Sequence, residues 1–278
     1  VNSADPDRAA ALWVQSIYRS TNFITIEQNS ESQTLQNSLP NVELPEGPFE
    51  LTGVCLKYNE HLTPDGFALL KPCRNLTLLN CGYTSVPDDW LVGMEDAVAN
   101  LETLFLHSPA TTDAGLATFE DCSKITNLGL QSVNVTSAGL TNFSQCRNLK
   151  VLFLGGTSLG DVSLEAFADC TDIEHLDVRN TGVQGAELVH FQGCSKLSHV
   201  DLNRAKSLDK AAMENLKDCN LQWLNLGQTD VTDEALAFLH DCKQLSYLNI
   251  ADTKVTDEFV EALQQSLPDC EITRKRLW

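Results

Sequence analysis

Residues 221–241 read LQWLNLGQTDVTDEALAFLHD, and the pattern of this stretch returns along the chain at a fixed distance. It opens with an LxxLxL motif that begins at Leu221, and it ends just before Cys242. A shift of 24 residues finds the same spacing again, beginning at Leu245. Self-similarity with such a period is typical of repeat proteins, in which each unit packs only on its neighbours.

The first apolar position of the LxxLxL motif marks each repeat unit. Nine units follow one another, separated by two steps of 25 residues and six of 24. The marker positions are Leu51, Leu76, Leu101, Ile125, Leu149, Ile173, Leu197, Leu221 and Leu245. We predict an α/β repeat domain at residues 51–267, preceded by a cap of helix, short strand and loop at residues 1–50. Residues 268–278 are predicted to form a C-terminal edge and a basic tail.

The second half of most units carries apolar pairs spaced i, i+3, which places both side chains on one face of a short helix. The pairs are Leu116 and Phe119, Leu140 and Phe143, Leu164 and Phe167, Leu188 and Phe191, Met213 and Leu216, and Leu236 and Leu239. We expect this face to point inward, onto the strand leucines. Threonine hydroxyls are predicted to cap the helices at Thr63, Thr112, Thr136, Thr232 and Thr256. Gly160, Gln184 and Asp209 hold the equivalent position elsewhere, so the cap is a preference.

The N-terminal segment predicts a cap for the repeats. Apolar spacing over residues 7–18 indicates a short amphipathic helix, with Asp5 as its N-cap and Pro6 in its first turn. Residues 23–26 are β-prone, and the polar stretch 28–38 is typical of a loop.

The C-terminal segment predicts an atypical last unit. A helix is expected at about residues 257–265, followed by a strand-like edge at residues 270–272. Arg274, Lys275 and Arg276 form the one basic cluster of the sequence, and we interpret it as a solvated end.

Residues 231–258, VTDEALAFLHDCKQLSYLNIADTKVTDE, resemble the cysteine-containing bacterial arrays of the leucine-rich repeat family, whose units read VTDxGLxxLxxCxxLxxLxLxxTx. The resemblance covers residues 51–267. It implies a right-handed, ribonuclease-inhibitor-like horseshoe with parallel strands on the concave face and short helices on the convex face. It implies no catalytic residues, so function has to be argued from the site. Threonines that stand where the family often has Asn are expected to bond loop backbone: Thr157, Thr181, Thr229 and Thr253.

The charge balance restricts the kinds of partner. The chain has 38 Asp and Glu residues against 19 Lys and Arg residues, a formal net charge of −19. Such a surface repels a phosphate backbone, so nucleic acid is not expected as a partner. The sequence has no apolar run approaching the roughly 18 residues of a membrane span, and its first residues lack a signal-peptide core. We expect a soluble monomer that takes no cofactor and does not insert into a membrane, although the start at Val1 leaves a fragment of a longer protein open.

Six of the ten cysteines recur at the repeat distance: Cys122, Cys146, Cys170, Cys194, Cys219 and Cys242. Disulfide frameworks have irregular spacing, and zinc sites need close pairs such as CxxC, which this sequence lacks. We therefore interpret the cysteines as reduced, buried residues that fill one layer of the stack. Disulfides between adjacent repeats are the alternative, because stacked strands lie about 4.8 Å apart. Free thiols favour the cytoplasm, and an extracytoplasmic domain of a membrane-anchored protein is the other location left open.

Within LxxLxL the intervening residues project from the sheet, so the register predicts ladders of side chains on the concave face. One ladder reads Gly53, Leu78, Thr103, Asn127, Val151, His175, His199, Trp223 and Tyr247. The next reads Cys55, Asn80, Phe105, Gly129, Phe153, Asp177, Asp201, Asn225 and Asn249. Adjacent Trp and Tyr are residue types enriched at binding hot spots, although they can also pack along a ladder without a partner. Phe105, Val151 and Phe153 form a smaller apolar patch toward the N-terminal half. The predicted partner-binding residues are His175, Asp177, Arg179, His199, Asp201, Trp223, Asn225, Tyr247 and Asn249.

Two HxD pairs resemble metal or acid–base chemistry, because His175 and Asp177 lie one strand away from His199 and Asp201. Duplication of a repeat produces such ladders without any chemistry, and no serine or cysteine nucleophile stands beside them on the ladder. We therefore predict no catalytic residue and no metal site.

These patterns predict a non-catalytic module that binds a protein or peptide on its concave face. The alternative is a ligand-sensing or regulatory domain of a larger bacterial signalling protein such as a Ser/Thr kinase, because similar arrays often follow a kinase domain or a membrane anchor. The sequence itself contains no glycine-rich nucleotide loop and no HRD-like motif.

Overall fold

A computed structural model describes residues 5–17, 21–36, 43–157 and 163–275. Its contacts divide the chain into two compact units, residues 1–146 and residues 147–278. In both units short strands alternate with short helices and 3₁₀ turns. A few predicted features lie outside the described residues: Tyr18 of the first helix, residues 37–38 of the loop, Gly160 at a helix start and Arg276 of the basic cluster.

The described part of the first unit contains six strands and six α-helices. The strands are β1 (Phe23–Gln28), β2 (Glu31–Gln36), β3 (Glu50–Cys55), β4 (Leu78–Cys81), β5 (Thr103–Leu106) and β6 (Asn127–Gly129). The helices are α1 (Pro6–Ser16), α2 (Pro64–Phe67), α3 (Asp88–Leu91), α4 (Glu95–Val98), α5 (Asp113–Leu116) and α6 (Ser137–Leu140). Turns of 3₁₀ helix continue α2, α5 and α6 at Ala68–Leu70, Ala117–Phe119 and Thr141–Phe143. The strand order is β2–β1–β3–β4–β5–β6, and the strands run parallel from β3 to β6.

Helix α1 forms the N-terminal end of this unit. The Asp5 carboxylate accepts a hydrogen bond from the backbone N–H of Arg8 at 3.0 Å, and Pro6 occupies the first turn. Both features were predicted, and both suit a helix start because they leave no first-turn donor unpaired there. The buried side of α1, which includes Val14, packs on β3 and on the 3₁₀ turn that follows α2.

The predicted loop at residues 28–38 is wrong in its described part, because β1 and β2 form an antiparallel hairpin. Asn29 and Ser30 connect the two strands with φ angles of 54° and 64°. These left-handed values are typical of a two-residue hairpin turn. The side chains of β2 are almost all exposed. Backbone hydrogen bonds to β1 therefore hold this strand. Its one apolar residue is Leu35, so the sequence gives no apolar alternation from which to predict it.

The parallel strands of the first unit have the register that the repeat spacing predicts. Gly53 lies opposite Leu78, Leu78 opposite Thr103, and Thr103 opposite Asn127. The alternate strand residues, such as Leu104, are buried. The period of two along each strand therefore separates the core from the open face of the sheet.

The described part of the second unit contains six parallel strands and three α-helices. The strands, in their order in the sheet, are β7 (Val151–Phe153), β8 (His175–Asp177), β9 (His199–Asp201), β10 (Trp223–Asn225), β11 (Tyr247–Asn249) and β12 (Glu271–Thr273). The helices are α7 (Lys210–Glu214), α8 (Asp233–Leu236) and α9 (Asp257–Ser266), with 3₁₀ helices at Glu165–Phe167, Gly185–Phe191 and Ala237–Asp241. Throughout the described residues, every helix is too short or too polar to cross a membrane.

The end of the chain has the predicted last helix and terminal strand, observed as α9 and β12. Arg274 of the basic cluster is exposed, as the interpretation of a solvated end predicts. Its guanidinium bonds to the Asp257 carboxylate and to the Val255 carbonyl. The side chain therefore ties the end of the chain back to the start of α9.

The predicted inward-facing column of the helical segments is confirmed, because all twelve of its side chains are fully buried. The segments are single α-helical turns or 3₁₀ turns. A 3₁₀ turn has about 3.0 residues, so residues i and i+3 lie directly above one another. The same i, i+3 spacing therefore buries its apolar pair in either kind of turn.

Threonine caps are observed at four of the five predicted positions, Thr63, Thr112, Thr136 and Thr256. The cap predicted at Thr232 is wrong, because its side chain accepts no such bond. Where the cap forms in later units, an aspartate of the preceding helix holds the threonine: Asp113 accepts from the N–H and the hydroxyl of Thr136 at 2.8 and 2.6 Å. Lys210 begins the helix that precedes Thr232, so this hydroxyl lacks the carboxylate that would orient it.

The threonines at the position where the family often has Asn form part of the scaffold, as predicted. Each hydroxyl donates to the carbonyl three residues earlier, at distances between 2.6 and 2.8 Å, in Thr157, Thr181, Thr229 and Thr253. The bond closes the turn after the strand and supplies a donor to a carbonyl at the end of the strand.

The ten cysteines are all free, and all but Cys242 are buried. The thiol of Cys146 donates to the carbonyl of Cys122 at 3.1 Å, and the thiol of Cys122 donates to the carbonyl of Val98 at 3.2 Å. In the second unit, Cys194 donates to the carbonyl of Cys170. Cys122, Cys146 and Cys194 therefore form part of a ladder in which a protonated thiol supplies a weak donor to the preceding repeat, whereas Cys242 donates to Phe238 of its own unit.

Thiol labelling tests this ladder. Burial raises the pKa of Cys122 to about 12 and that of Cys146 to about 11, and the thiolate is the form that reacts. At pH 8 we expect an aromatic disulfide reagent to label about one thiol of the native protein, Cys242 first because it is the least buried. After unfolding without reductant all ten thiols should react, whereas a smaller number would indicate disulfides between repeats.

Candidate functional site

The open face of the sheet in the second unit carries two stacked ring pairs. Strands β8 to β11 place His175, His199, Trp223 and Tyr247 opposite one another, in the predicted order. The His175 and His199 rings stack with centroids 4.4 Å apart. The Trp223 and Tyr247 rings stack at 5.5 Å with an interplanar angle of 10°. All four side chains are partly exposed, so a strip of ring surface runs across four adjacent strands.

A row of buried Asp and Asn side chains lies next to this strip: Asp177, Asp201, Asn225 and Asn249, which are 8%, 6%, 3% and 1% exposed. The Asn225 amide donates to the Asp201 carboxylate at 3.0 Å, and the Asn249 amide donates to the Asn225 oxygen at 2.9 Å. One side-chain oxygen of each residue in the row also accepts a backbone N–H two positions later in the chain.

This burial differs from the sequence prediction, which placed all four residues on the exposed face. Alternation along a strand fixes the side of the sheet on which a side chain starts. It does not say whether a short polar side chain then bends back to the loop that follows. Here the backbone N–H groups after each strand need acceptors, and Asp and Asn supply them. Asn225 and Asn249 therefore have little surface to offer a partner.

Arg179 joins the two buried carboxylates of the row. Its Nε lies 3.4 Å from Oδ2 of Asp177, and its Nη1 lies 3.5 Å from Oδ2 of Asp201. The side chain of Arg179 is half exposed, whereas both carboxylates are almost covered. Burial raises the pKa of Asp201, and the Asn203 N–H, the Asn225 amide and the arginine oppose that shift. The cluster holds two carboxylates for one guanidinium.

His199 is harder to protonate than a free imidazole. Its Nδ1 lies 2.9 Å from the Ser198 hydroxyl. Burial lowers the pKa of His199, and the neighbouring His175 lowers it further. The environment therefore favours the neutral ring of His199.

A depression of about 250 Å³ lies between the rings and the buried carboxylates. It is lined by Phe153, His175, Leu176, Asp177, Arg179, His199, Asp201 and Trp223. Seven of the nine predicted partner-binding residues belong to this depression or to the ring strip, and the other two are the buried amides. Phe153, which the sequence assigned to a separate apolar patch, forms one edge of it. The order of the ladder already placed Phe153 one strand from Asp177. This proximity could have predicted that Phe153 belongs to the site.

Larger depressions occur elsewhere in this unit. One of about 470 Å³ lies at α7 and α8, and charged side chains such as Lys210, Glu214 and Glu234 line much of it. It contains no aromatic ring. The smaller depression combines aromatic surface with a few convergent polar groups, an arrangement typical of binding sites.

The HxD pairs do not assemble a metal site. Among the described residues, no group of three or more His, Cys, Asp or Glu side chains has positions suited to a metal ion. The two imidazoles stack face to face, and the two carboxylates point to Arg179. The side chains of each HxD pair therefore serve different contacts and do not converge.

The first unit has an exposed aromatic cluster that no sequence pattern singled out. Tyr58 and Tyr83 stack with ring centroids 4.8 Å apart, and Lys57 lies over both rings. Their φ angles are 60° and 57°, in the left-handed region that bulky residues rarely adopt. Each tyrosine stands two positions after LxxLxL, where other units have small polar residues such as Ser132 and Asn180. That departure was the signal that could have found them.

Comparison with known proteins agrees with this geometry. The family model described as Leucine rich repeat matches residues 123–183. The model described as BspA type Leucine rich repeat region (6 copies) matches residues 161–266. Together the two matches cover more than half of the chain. No curated protein matches the sequence.

Solved structures of three Listeria monocytogenes proteins are similar to this chain. Internalin C2 is 23% identical with a TM-score of 0.52, over 64% of this chain and 73% of that one. Internalin InlF is 18% identical with a TM-score of 0.55, over 80% of this chain and 66% of that one. The functional domain of InlJ, described as including a cysteine ladder, is 16% identical with a TM-score of 0.55, over 78% of this chain and 47% of that one.

At these identities the three structures show a shared fold. The parallel strands that alternate with short helices are the architecture that the resemblance implied, and the buried helical column and the cysteine ladder are the features that the spacing predicted. The predicted α/β solenoid class is thereby confirmed, and the chain belongs to the leucine-rich repeat family.

Proposed function

We propose that this chain is a non-catalytic, monomeric module that binds a protein or peptide on the predicted concave face. Proteins of this family generally serve as interaction modules, which supports the proposal. The observation that carries it is the strip of two stacked ring pairs across β8 to β11. The contact residues are His175, Arg179, His199, Trp223 and Tyr247, with Asp177 and Asp201 at the base and Asn225 and Asn249 holding the strands from below.

The scaffold does not require rings at these positions. The equivalent positions of earlier units hold Gly53, Leu78, Thr103 and Asn127. A large ring on an open face exposes apolar surface to water, and such surface in a contiguous strip is typical of an interaction site. Because each ring is already held by its stacked neighbour, little side-chain entropy is lost when a partner binds.

The double variant Trp223→Ala with Tyr247→Ala tests the function. We expect capture of a partner by the immobilised chain to fall by more than about tenfold, since aromatic anchors at a hot spot each contribute about 2 kcal/mol or more. The unfolding temperature should change only modestly, because both rings are partly exposed. Quantitative affinity capture, followed by thermal unfolding of the same samples, measures both quantities.

The matched control is Tyr58→Ala with Tyr83→Ala. This variant also removes two stacked, exposed rings, but from the first unit. It should leave capture unchanged. Capture that survives loss of Trp223 and Tyr247, or that falls equally in the control, would contradict the proposed binding face. No observation favours a regulatory domain of a kinase, and we do not propose it.

A further inference from the structure

We propose that the depression bounded by His175, His199 and Trp223 receives a cationic side chain, lysine or arginine, from a basic segment of the partner. This inference rests on the binding face proposed above and specifies the chemistry of what binds there. It is carried by three separate observations: two buried carboxylates at the base, ring surfaces at the sides, and an acidic charge over the whole chain.

The base of the depression is negatively charged. Asp177 and Asp201 supply two carboxylates, and the Arg179 guanidinium lies near both of them. Its distances of 3.4 and 3.5 Å are longer than the roughly 2.7–2.9 Å of a strong charge-assisted hydrogen bond. The contacts with Arg179 are therefore weak, and a second cation above the base would be attracted to the same carboxylates.

The negative potential extends beyond the depression along the ring strip. Burial raises the pKa of the Tyr247 phenol, and the carboxylates of Glu271 and Asp201 raise it further. Glu271 lies directly opposite Tyr247 on β12. A partner segment lying across β8 to β12 would thus meet carboxylates at both ends of its path.

The sides of the depression suit a cation for a different reason. Phe153, His175, His199 and Trp223 contribute rings to its lining. The face of an aromatic ring carries partial negative charge, and tryptophan attracts cations most strongly, by about 0.5–2 kcal/mol depending on solvent exclusion. An alkyl stem or a planar guanidinium can lie against these rings while its charge remains near the carboxylates.

The charge of the whole chain favours the same partner. A net charge of −19 raises the local concentration of cationic partners and repels anionic ones over distances of about 10 Å at moderate salt. An acidic peptide would be repelled by the chain and by the base of the depression alike. A basic segment is attracted both by the net charge of the chain and by the carboxylates at the base of the depression.

A titration with synthetic peptides tests the proposal on the full chain. The probe is an acetylated, amidated hexa-arginine peptide, with hexa-glutamine and hexa-glutamate of the same length as comparisons. Binding is measured by isothermal titration calorimetry at pH 7.5 and at two salt concentrations. We expect hexa-arginine to bind and the two comparison peptides not to bind.

Three variants separate the depression from general attraction to an acidic protein. Trp223→Leu keeps the net charge, and Asp201→Asn removes one buried charge. Glu234→Gln removes one charge from an exposed position on α8 and serves as the matched control. We expect the first two to weaken hexa-arginine binding by about tenfold and the control to leave it within about twofold. Circular dichroism checks that Asp201→Asn folds, and Trp223→Leu tests the site without disturbing the buried row.

Lower pH provides a second readout. His175 and His199 face each other, and Asp177, Arg179 and Asp201 are the charged groups around them. A proton gained by His199, whose pKa burial lowers, would add positive charge beside the incoming cation, so affinity should fall between pH 7.5 and pH 5. Equal affinity of Trp223→Leu and Glu234→Gln for hexa-arginine would overturn the proposal. In that outcome, the double variant Trp223→Ala with Tyr247→Ala can still lose capture of the natural partner. The proposed binding face would then be supported, and only its preference for a cation would be contradicted.

Discussion

Replacing Phe143 by alanine is expected to lower the free energy of unfolding by about 3–5 kcal/mol. The Phe143 side chain is fully buried, and its ring stacks on that of Phe119 with centroids 6.2 Å apart. Truncation removes most of the ring contacts and leaves a cavity, because the stacked ring of Phe119 is itself fully buried and cannot move to fill the gap. The shift in the urea midpoint, followed by circular dichroism, measures the loss.

Leu69→Ala is the matched control for Phe143→Ala. Leu69 lies in the corresponding turn of another unit but is 37% exposed. It should cost less than about 1 kcal/mol, since much of its surface already contacts water. A loss below 1 kcal/mol for Phe143→Ala would mean that the column is not a packed core.

Replacing Asn225 by leucine is expected to destabilise the protein by about 2–4 kcal/mol, although leucine is the more apolar residue. Asn225 donates to Asp201 and accepts from the Asn249 amide and the Gly227 N–H. Leucine can make none of these bonds, so two buried donors and one carboxylate oxygen each lose a partner. An unsatisfied buried polar group costs about 1–3 kcal/mol. Urea unfolding again provides the measurement.

Gln222→Leu is the matched control for Asn225→Leu. Gln222 lies at the start of the same strand, and its backbone carbonyl, not its side chain, bonds the neighbouring strand. The control should keep wild-type stability within about 0.5 kcal/mol. If Asn225→Leu is as stable as this control and instead loses the partner, Asn225 is a recognition residue, as the sequence alone had predicted.

Much of the site was predictable because the repeat fixes the register. Once Leu221 and Leu245 are known to be equivalent, Trp223 and Tyr247 must lie on adjacent strands, and the observed stack follows. The same step places His175 beside His199. Period and alternation are properties of the backbone geometry, so they can be obtained from one sequence.

Other parts of the site depend on side-chain conformations that the alternation along a strand does not determine. Arg179 was predicted as a contact residue, but its position between Asp177 and Asp201 depends on side-chain torsions. Phe153 was assigned to another patch, because a ladder gives the order of residues and not the depth at which each side chain lies. The Thr232 cap fails for a similar reason, since a residue of the preceding unit decides whether the hydroxyl is oriented.

The sequence by itself determined the register of the strands, the buried column and the ladder of cysteines, because each follows from residue types that recur at one spacing, and its family resemblance implied the fold class. Only the tertiary structure decided that β2 pairs with β1, since a polar strand is held by backbone bonds that leave no mark on the side-chain pattern. It also decided that Asn225 is buried while Trp223 stays partly exposed. The short amide can turn to satisfy the N–H groups of its own loop, whereas the indole is too large to do so and remains on the open face.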